Sequence, residues 1–461
     1  MTAPTTTIDY LVRPSGALCG DIRVPGDKSI SHRSLMLAAI AEGETRIRNL
    51  LRGDDVLATM AALRSMGVRI DEGRPPPSGE IRGQDDPDEI VVHGIGDRSL
   101  SPPPAGVLDL GNSGTSMRLM AGLLCPRIDR PCSLIGDRSL SLRPMRRITD
   151  PLESMGAKIA PSSAGTAPIR LEPLAPDPFR ARLKAIDFSG DTVSAQVKSA
   201  ILLAGLRADG RTCYTEPGPS RDHTERMLSA FGVPLSIDGF RTCIEGGIGL
   251  RGTTIEVPGD LSSAAFFLAA AAARPGSDLI VRDVGINPTR SGALTILEAM
   301  GARIERHSVR EDCGEPVADL RVQGTRLQGI DIDPALVPLA IDEFPAIFVA
   351  AAAARGITRV RGARELRIKE SDRIASSAAA LCALGIEVET VEDGMTISGG
   401  RIAGGRIESA SDHRIAMAFA TAGVGGPLKV RDCRHVATSF PGFVALANKL
   451  GLDIEAHERD A

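Results

Sequence analysis

The sequence predicts an α/β protein built from two similar halves of three repeated units each. Three observations carry that prediction: a helix-to-strand junction recurs six times, alanine-rich helices run between the junctions, and one early stretch is echoed half a chain later.

The junctions share the pattern Leu-x-x-[Met/Leu/Phe]-Gly-x-x-[Ile/Val/Leu], found at 63–70, 152–159, 228–235, 297–304 and 381–388. A sixth copy at 447–454 has Ala in first place. Apolar residues three apart close one helix face, glycine ends the helix, and an alternating segment starts a strand. Gly67, Gly156, Gly232, Gly301, Gly385 and Gly451 therefore mark six helix ends. They lie 66 to 89 residues apart, too regular to be incidental.

The alanine-rich series runs through 37–43, 121–126, 202–210, 269–276, 349–356 and 418–426, each ending at Gly or Pro before a strand-like stretch. Ile255-Glu-Val-Pro-Gly-Asp-Leu-Ser-Ser then repeats the form of Ile22-Arg-Val-Pro-Gly-Asp-Lys-Ser-Ile at a distance of 233 residues. The second copy lacks Lys28 and Arg33, so the halves, with boundaries near Val24 and Val257, are alike in fold and unequal in chemistry. The proline-rich segments 74–84 and 101–106 read as surface loops, since proline runs cannot sit in central strands.

Composition narrows the function. The chain has 461 residues, 43% hydrophobic and 24% charged, with a net charge of -4, which fits a globular protein and not a nucleic-acid binder. Eleven Phe, two Tyr and no Trp leave little for base-stacking surfaces. No signal peptide is read at the start, and the alanine run at 264–273 is too short to span a bilayer. Eight scattered cysteines without a C-x-x-C pair are expected as thiols in a reducing cytoplasm. Seven histidines without H-x-x-x-H spacing give no metal site, so none is expected.

The polar residues gather at helix starts. Pro25-Gly26 breaks a strand, Asp27 or Ser29 can cap a helix, and Lys28, Ser29, Ser31 and Arg33 cluster where unpaired N–H groups favour an anion. Gly111-Asn-Ser-Gly-Thr-Ser-Met-Arg118, Thr192-Val-Ser-Ala-Gln-Val-Lys198, Ile341-Asp-Glu-Phe-Pro345 and Ser411-Asp-His-Arg414 open the other alanine-type helices. Arg138–Pro144, Ser220–Thr224 and Lys369–Arg373 begin helices of the other series. Singly, each is a cap with solvated charges. Together they place Lys28, Arg33, Arg118, Arg143, Arg221, Lys369, Arg373 and Arg414 at the ends where basic groups oppose the helix dipole, an anomaly that an anionic ligand with several phosphate or carboxylate groups removes.

These motifs, with Arg-Pro-Met, Ser-Ala-Gln-Val-Lys-Ser-Ala, Ser-Arg-Asp-His-Thr-Glu and Arg-Ile-Lys-Glu-Ser-Asp-Arg, resemble 5-enolpyruvylshikimate-3-phosphate synthases, above all the class II bacterial forms. The match runs in order from about residue 20 to 445. The resemblance implies two domains, 25–256 and 1–24 plus 257–461, each an inside-out α/β barrel of three βαβαββ units, with the active site in the cleft between them and the shikimate 3-phosphate side mainly on the first. It implies transfer of the enolpyruvyl group of phosphoenolpyruvate to the 5-hydroxyl of shikimate 3-phosphate, with release of phosphate. No cofactor, nucleic-acid or membrane partner is implied, and a cytoplasmic monomer is expected.

By the same resemblance, Lys28, Ser29, Arg33, Ser194, Ala195, Gln196 and Arg221 contact shikimate 3-phosphate, with Asp342 and Lys369 beside its 5-hydroxyl. Arg143, Arg373 and Arg414, helped by Lys28, Gln196 and Gly114, clamp phosphoenolpyruvate, as planar guanidinium forks suit carboxylate and phosphate. Asp342 is the base, Glu370 moves the proton at the methylene carbon, and Lys28 completes the catalytic set. Gly114 stands where a glycine leaves room for the inhibitor glyphosate, which makes the chain a candidate for inhibition, although the class II likeness points the other way. Two alternatives share the fold. A UDP-N-acetylglucosamine enolpyruvyl transferase carries a cysteine acid in a mobile loop, which 136–144 lacks, and a non-catalytic binding relative has no need of an intact Asp342 and Glu370.

Overall fold

The computed structural model describes residues 6–73, 89–175, 182–423 and 425–460. The proline-rich stretch 74–84 lies outside them, whereas 101–106 is a turn without regular structure. The chain divides into two compact bodies: Gly26–Val257 with Glu311–Glu315, and Met1–Pro25 with Pro258–Arg310 and Pro316–Ala461.

In the first body the helices are α1 (Lys28–Ile40), α2 (Asp54–Ser65), α3 (Gly114–Leu124), α4 (Arg146–Ser154), α5 (Ala195–Gly205) and α6 (His223–Ala230). The second body carries α7 (Leu261–Ala272), α8 (Gly292–Ala299), α9 (Phe344–Ala353), α10 (Arg373–Ala383), α11 (His413–Ala420) and α12 (Phe443–Lys449). The odd-numbered helices are the alanine-rich series. Beyond their polar first turns they are largely apolar on every side and sit in the core, as such helices must: every residue of α7 is buried, and so is α1 from Ile30 onward. Small alanine side chains let these central helices approach closely, and the sheets lie outside them.

The even-numbered helices end as the glycine pattern predicts. Gly67 has φ +90°, its N–H donates to Arg64 O, and Val68 N–H reaches back to Leu63 O. The same pair of bonds closes α4, α6, α8, α10 and α12 at the other five glycines. No atom crowds a Cβ at Gly67, so the requirement is backbone conformation alone. Gly67→Ala is expected to lower stability by about 1 kcal/mol, read from urea melts; an unchanged midpoint would show that the helix end relaxes.

Five of the six units share one strand order, the first strand parallel to the second, then the fourth and third antiparallel; in the fifth unit the sheet has three strands, 357–360, 394–398 and 387–391, and isolated parallel bridges at Gln328 and Asp331 stand in place of the first. The second unit shows it within its own sequence: 107–109, 132–135, 169–172, 158–160. Three units borrow a strand. The first strand of unit one is Thr254–Glu256, parallel to Ala41–Arg48, and the first strand of unit four is Cys19–Arg23, parallel to Asp278–Gly285. In unit six Thr6–Arg13 stands as the fourth strand, between Leu428–Arg431 and Asp453–Asp460. Strands alternate buried and exposed residues, as in 169–172, so one face of each sheet covers the helices. Each body has its own apolar core.

One expectation needs correction. Cys213 and Cys243 form a disulfide, with Cα atoms 4.1 Å apart, because strands Arg211–Thr215 and Arg241–Glu245 pair in a register that sets the two directly opposite. Cys19, Cys125, Cys132, Cys313, Cys382 and Cys433 remain thiols.

Candidate active site

The first body presents the N-terminal ends of α1, α3 and α5. Asp27, not Ser29, caps α1, accepting from Ile30 N at 2.9 Å, and Ser113 and Ser194 cap α3 and α5. These caps spend polar side chains on the first N–H groups and hold the following residues at the helix mouths. Lys28 pairs with Asp55 of α2, Nζ to Oδ2 2.6 Å, a partner the sequence reading did not single out. Ser29 follows in the first turn.

Beside them, Gly114 stands between two guanidinium groups: a Cβ there would meet Arg118 Nη1 at 2.8 Å and Arg143 Nη1 at 3.0 Å. Arg118 Nη1 donates to Gln196 Oε1 at 2.7 Å, Gln196 Nε2 to Thr115 Oγ1 at 3.1 Å, and Arg143 Nη2 to Asn112 Oδ1 at 2.8 Å. These acceptors are neutral amide and hydroxyl oxygens, so they orient the forks without cancelling their charge. Gly114, Arg143 and Gln196 thus come together, and Arg118, read in the sequence only as one base among eight, joins them.

Arg33 is deeper. Its guanidinium donates to Thr224 Oγ1 (2.7 Å), Ser199 Oγ (2.9 Å) and Ser29 O (3.0 Å), tying α1 to α5 and α6. Burial pushes its pKa down to about 10; Glu225 and Asp27 resist the fall and the charge of Arg221 adds to it. Arg221 lies on the connection entering α6, which Lys198 fastens through Glu216 (2.6 Å) and Glu225 (2.7 Å), while Ser220 donates to Glu216. His32, on the same turn as Arg33, meets Thr59 Oγ1 at 2.8 Å through Nδ1. Its pKa is well below the usual range, first through burial and then through the charges of Lys28 and Arg33. Histidine-selective NMR is accordingly expected to show His32 still neutral where a free imidazole is protonated; a resonance that titrates in the ordinary imidazole range would contradict it.

The second body gathers the remaining predicted residues around one side chain. Arg373 opens α10 and is 0% exposed. It donates from Nε to Asp412 Oδ2 (2.8 Å), from Nη1 to Asp342 Oδ1 (3.2 Å) and from Nη2 to Glu370 Oε2 (2.5 Å). Burial alone would lower its pKa, but Asp412, Glu370 and Asp342 outweigh burial and raise it. Lys369 Nζ stands 3.6 Å from Asp342 Oδ1, and Arg414 Nη1 donates to Asp342 O at 3.2 Å. Asp412 also caps α11, accepting from Arg414 N at 2.9 Å and from Ser371 Oγ at 3.0 Å. Asp342, Lys369, Glu370, Arg373 and Arg414 are therefore one cluster, with Asp412 as its unforeseen anchor.

Two carboxylates held by a permanently charged fork, with further bases alongside, are equipped for proton transfer next to an anion. The described residues include no group of His, Cys, Asp and Glu arranged to hold a metal ion, and none of their helices is long and apolar enough to cross a membrane.

A sequence model of the EPSP synthase (3-phosphoshikimate 1-carboxyvinyltransferase) family matches residues 12–446. The chain belongs to the EPSP synthase family. It is 55% identical over 448 residues to the 3-phosphoshikimate 1-carboxyvinyltransferase of Methylococcus capsulatus, covering 97% of this chain and 98% of that one. To its counterpart in Halorhodospira halophila it is 54% identical over 457 residues, 98% of each chain. A solved EPSP synthase from Acinetobacter baumannii superposes with a TM-score of 0.84 at 46% identity, over 98% of this chain and 100% of that one. The enolpyruvyl transferase NikO from Streptomyces tendae, 17% identical over 98% of this chain and 99% of its own, shares the fold with a TM-score of 0.75. The family's reaction is enolpyruvyl transfer in the shikimate pathway, and this chain is a transferase of that kind.

Proposed function

We propose that the substrates are phosphoenolpyruvate and shikimate 3-phosphate, and that residues of both bodies serve one addition–elimination reaction. The observation that carries the reading is the pairing of Asp342 and Glu370 on the single buried fork of Arg373. Asp342 takes the proton of the 5-hydroxyl as that oxygen bonds to C2 of phosphoenolpyruvate, and Glu370 delivers a proton to C3. Phosphate then leaves C2 as Glu370, ionised by that delivery, takes a proton back from the new methyl group, restoring the double bond. Lys369 stands alongside Asp342 and directs its carboxylate.

Arg143 with Gly114, Gln196 and Lys28 in the first body, and Arg373 and Arg414 in the second, hold phosphoenolpyruvate. Ser29, Ser194, Ala195 and Arg221 receive shikimate 3-phosphate together with Lys28 and Gln196. Arg33, with three donors already committed, acts on it through its charge and by fixing Ser29. One chain carries the whole residue set, in keeping with a monomer, and a cytoplasmic location rests on the family resemblance, since six cysteines are thiols but Cys213 and Cys243 are bonded.

The direct test is phosphate release from phosphoenolpyruvate with and without shikimate 3-phosphate, beside a parallel assay with UDP-N-acetylglucosamine. Release that requires shikimate 3-phosphate is expected; release only with the nucleotide sugar would overturn the reading. Glyphosate gives a second readout. A methyl at position 114 intrudes between Arg118 and Arg143, and overpacking of that kind costs about 1–3 kcal/mol. Gly114→Ala is expected to weaken glyphosate inhibition by about tenfold or more, and unchanged inhibition would refute the placement of the inhibitor there.

A further inference from the structure

The central helices of the first body have two ends, and the second end is also basic. Helices α1, α3 and α5 stop at Ile40, Leu124 and Gly205, and just beyond them a cavity of about 410 Å³ is lined by Arg98, Arg127, Arg182 and Arg207, with Glu42 and Asp97 as its acidic residues. Helix C-termini attract cations, which explains part of this. Arg127 Nη1 donates to Leu123 O (3.0 Å) and Leu203 O (3.5 Å), and Arg207 Nη2 to Asp97 O (2.9 Å).

That explanation leaves a remainder. Arg127 is 5% exposed and Arg207 2%, and carbonyl oxygens orient a guanidinium without neutralising it. Burial first, and then the charge of Arg207, push the pKa of Arg127 down to about 9. Asp97 stands 3.6 Å from Arg207 Nη2 but is largely in solvent, where its charge is screened; Glu42 is likewise exposed. Moreover, Arg207 Nε is buried without a hydrogen-bond acceptor. A buried donor left unsatisfied is costly, and more so on a charged group. Two buried like charges, an orphaned donor and an open cavity share one remedy, an anion.

We propose that this cavity is a second anion site, separate from the reaction centre, that binds a compact oxyanion of the phosphate or phosphate-monoester class. Arg127 and Arg207 form its floor, and Arg98 and Arg182 its more accessible rim. Arg127 offsets the negative ends of α3 and α5 by occupying one carbonyl of each, and its charge and that of Arg207 line the cavity.

The test is binding of inorganic phosphate to the full chain at low ionic strength, by equilibrium dialysis and calorimetry, with citrate as a parallel probe. A phosphate site that persists when shikimate 3-phosphate and phosphoenolpyruvate occupy the reaction centre is expected in the wild type. This site is expected to be lost, or weakened at least tenfold, in Arg207→Gln and in the double variant Arg98→Gln/Arg182→Gln, while turnover at saturating substrates stays within twofold in the double variant. Should Arg207→Gln fail to fold, the double variant, which alters only the more accessible positions, gives the answer. Loss of all phosphate binding when the substrates fill the reaction centre would overturn the proposal, as would a persisting site indifferent to these substitutions. Saturation of the arginine-dependent site by citrate but not by phosphate would overturn it too.

Discussion

Asp342→Ala is expected to lower kcat by about 10²–10⁴-fold while leaving the chain folded. The side chain is partly accessible, 15% exposed, and its removal deletes one of three carboxylates on Arg373 without leaving a buried anion unpaired. Asp412 and Glu370 still hold the fork. The effect therefore falls on proton removal from the substrate hydroxyl, and the KM for phosphoenolpyruvate is expected to change less than kcat. Steady-state kinetics beside a thermal melt decides it: a kcat within tenfold of wild type would remove Asp342 from the role of base, and Glu370 would be the next candidate.

Arg373→Met is expected to cost about 3–5 kcal/mol of stability, the magnitude found when one partner of a buried ion pair is deleted. Arg373 and Asp412 are both 0% exposed, so the substitution strands Asp412 in the interior and sets Asp342 and Glu370 against each other. The loss is expected in the second body alone. Amide exchange that accelerates in α10 and α11 but not in α1, α3 and α5 would show this, and equal acceleration throughout would contradict it. Arg373→Lys keeps the charge but not the three-way fork, and is expected to recover only part of the loss.

What the sequence made legible is what depends on a few neighbouring residues. Each helix-ending glycine announces itself, because a left-handed residue between an apolar helix face and a strand excludes nearly every other side chain. Asp27, Ser113, Ser194 and Asp412 are readable as caps for a similar reason: a cap needs only a short acceptor two or three residues before its donor. From those local rules came six units and the assembly of bases at one set of helix ends. The family resemblance, resting on the same motifs, then supplied the barrel.

Contacts between distant segments stayed hidden. Nothing near Lys28 points to Asp55, and the opposition of Cys213 and Cys243 follows from strand register, which thirty residues of intervening chain conceal. The three-way grip on Arg373 joins residues 342, 370 and 412, all present in recognised motifs, whose convergence on one guanidinium only folding reveals. The second arginine cluster was missed because Arg98, Arg127, Arg182 and Arg207 belong to no motif and meet only at the far ends of three separate helices.

The strand at Thr6–Arg13 sets a clock on synthesis. It leaves the ribosome long before either of its neighbours, 428–431 and 453–460. The first body has nearly all its residues once position 257 has emerged, apart from the short piece 311–315. Translation at roughly 5–20 residues per second leaves the opening strand waiting about 20–90 s with two unpaired edges. A nascent chain at that stage is therefore a largely complete first body beside an unmatched ribbon, and the arrival of 428–460 decides whether that ribbon pairs at home or with a neighbour.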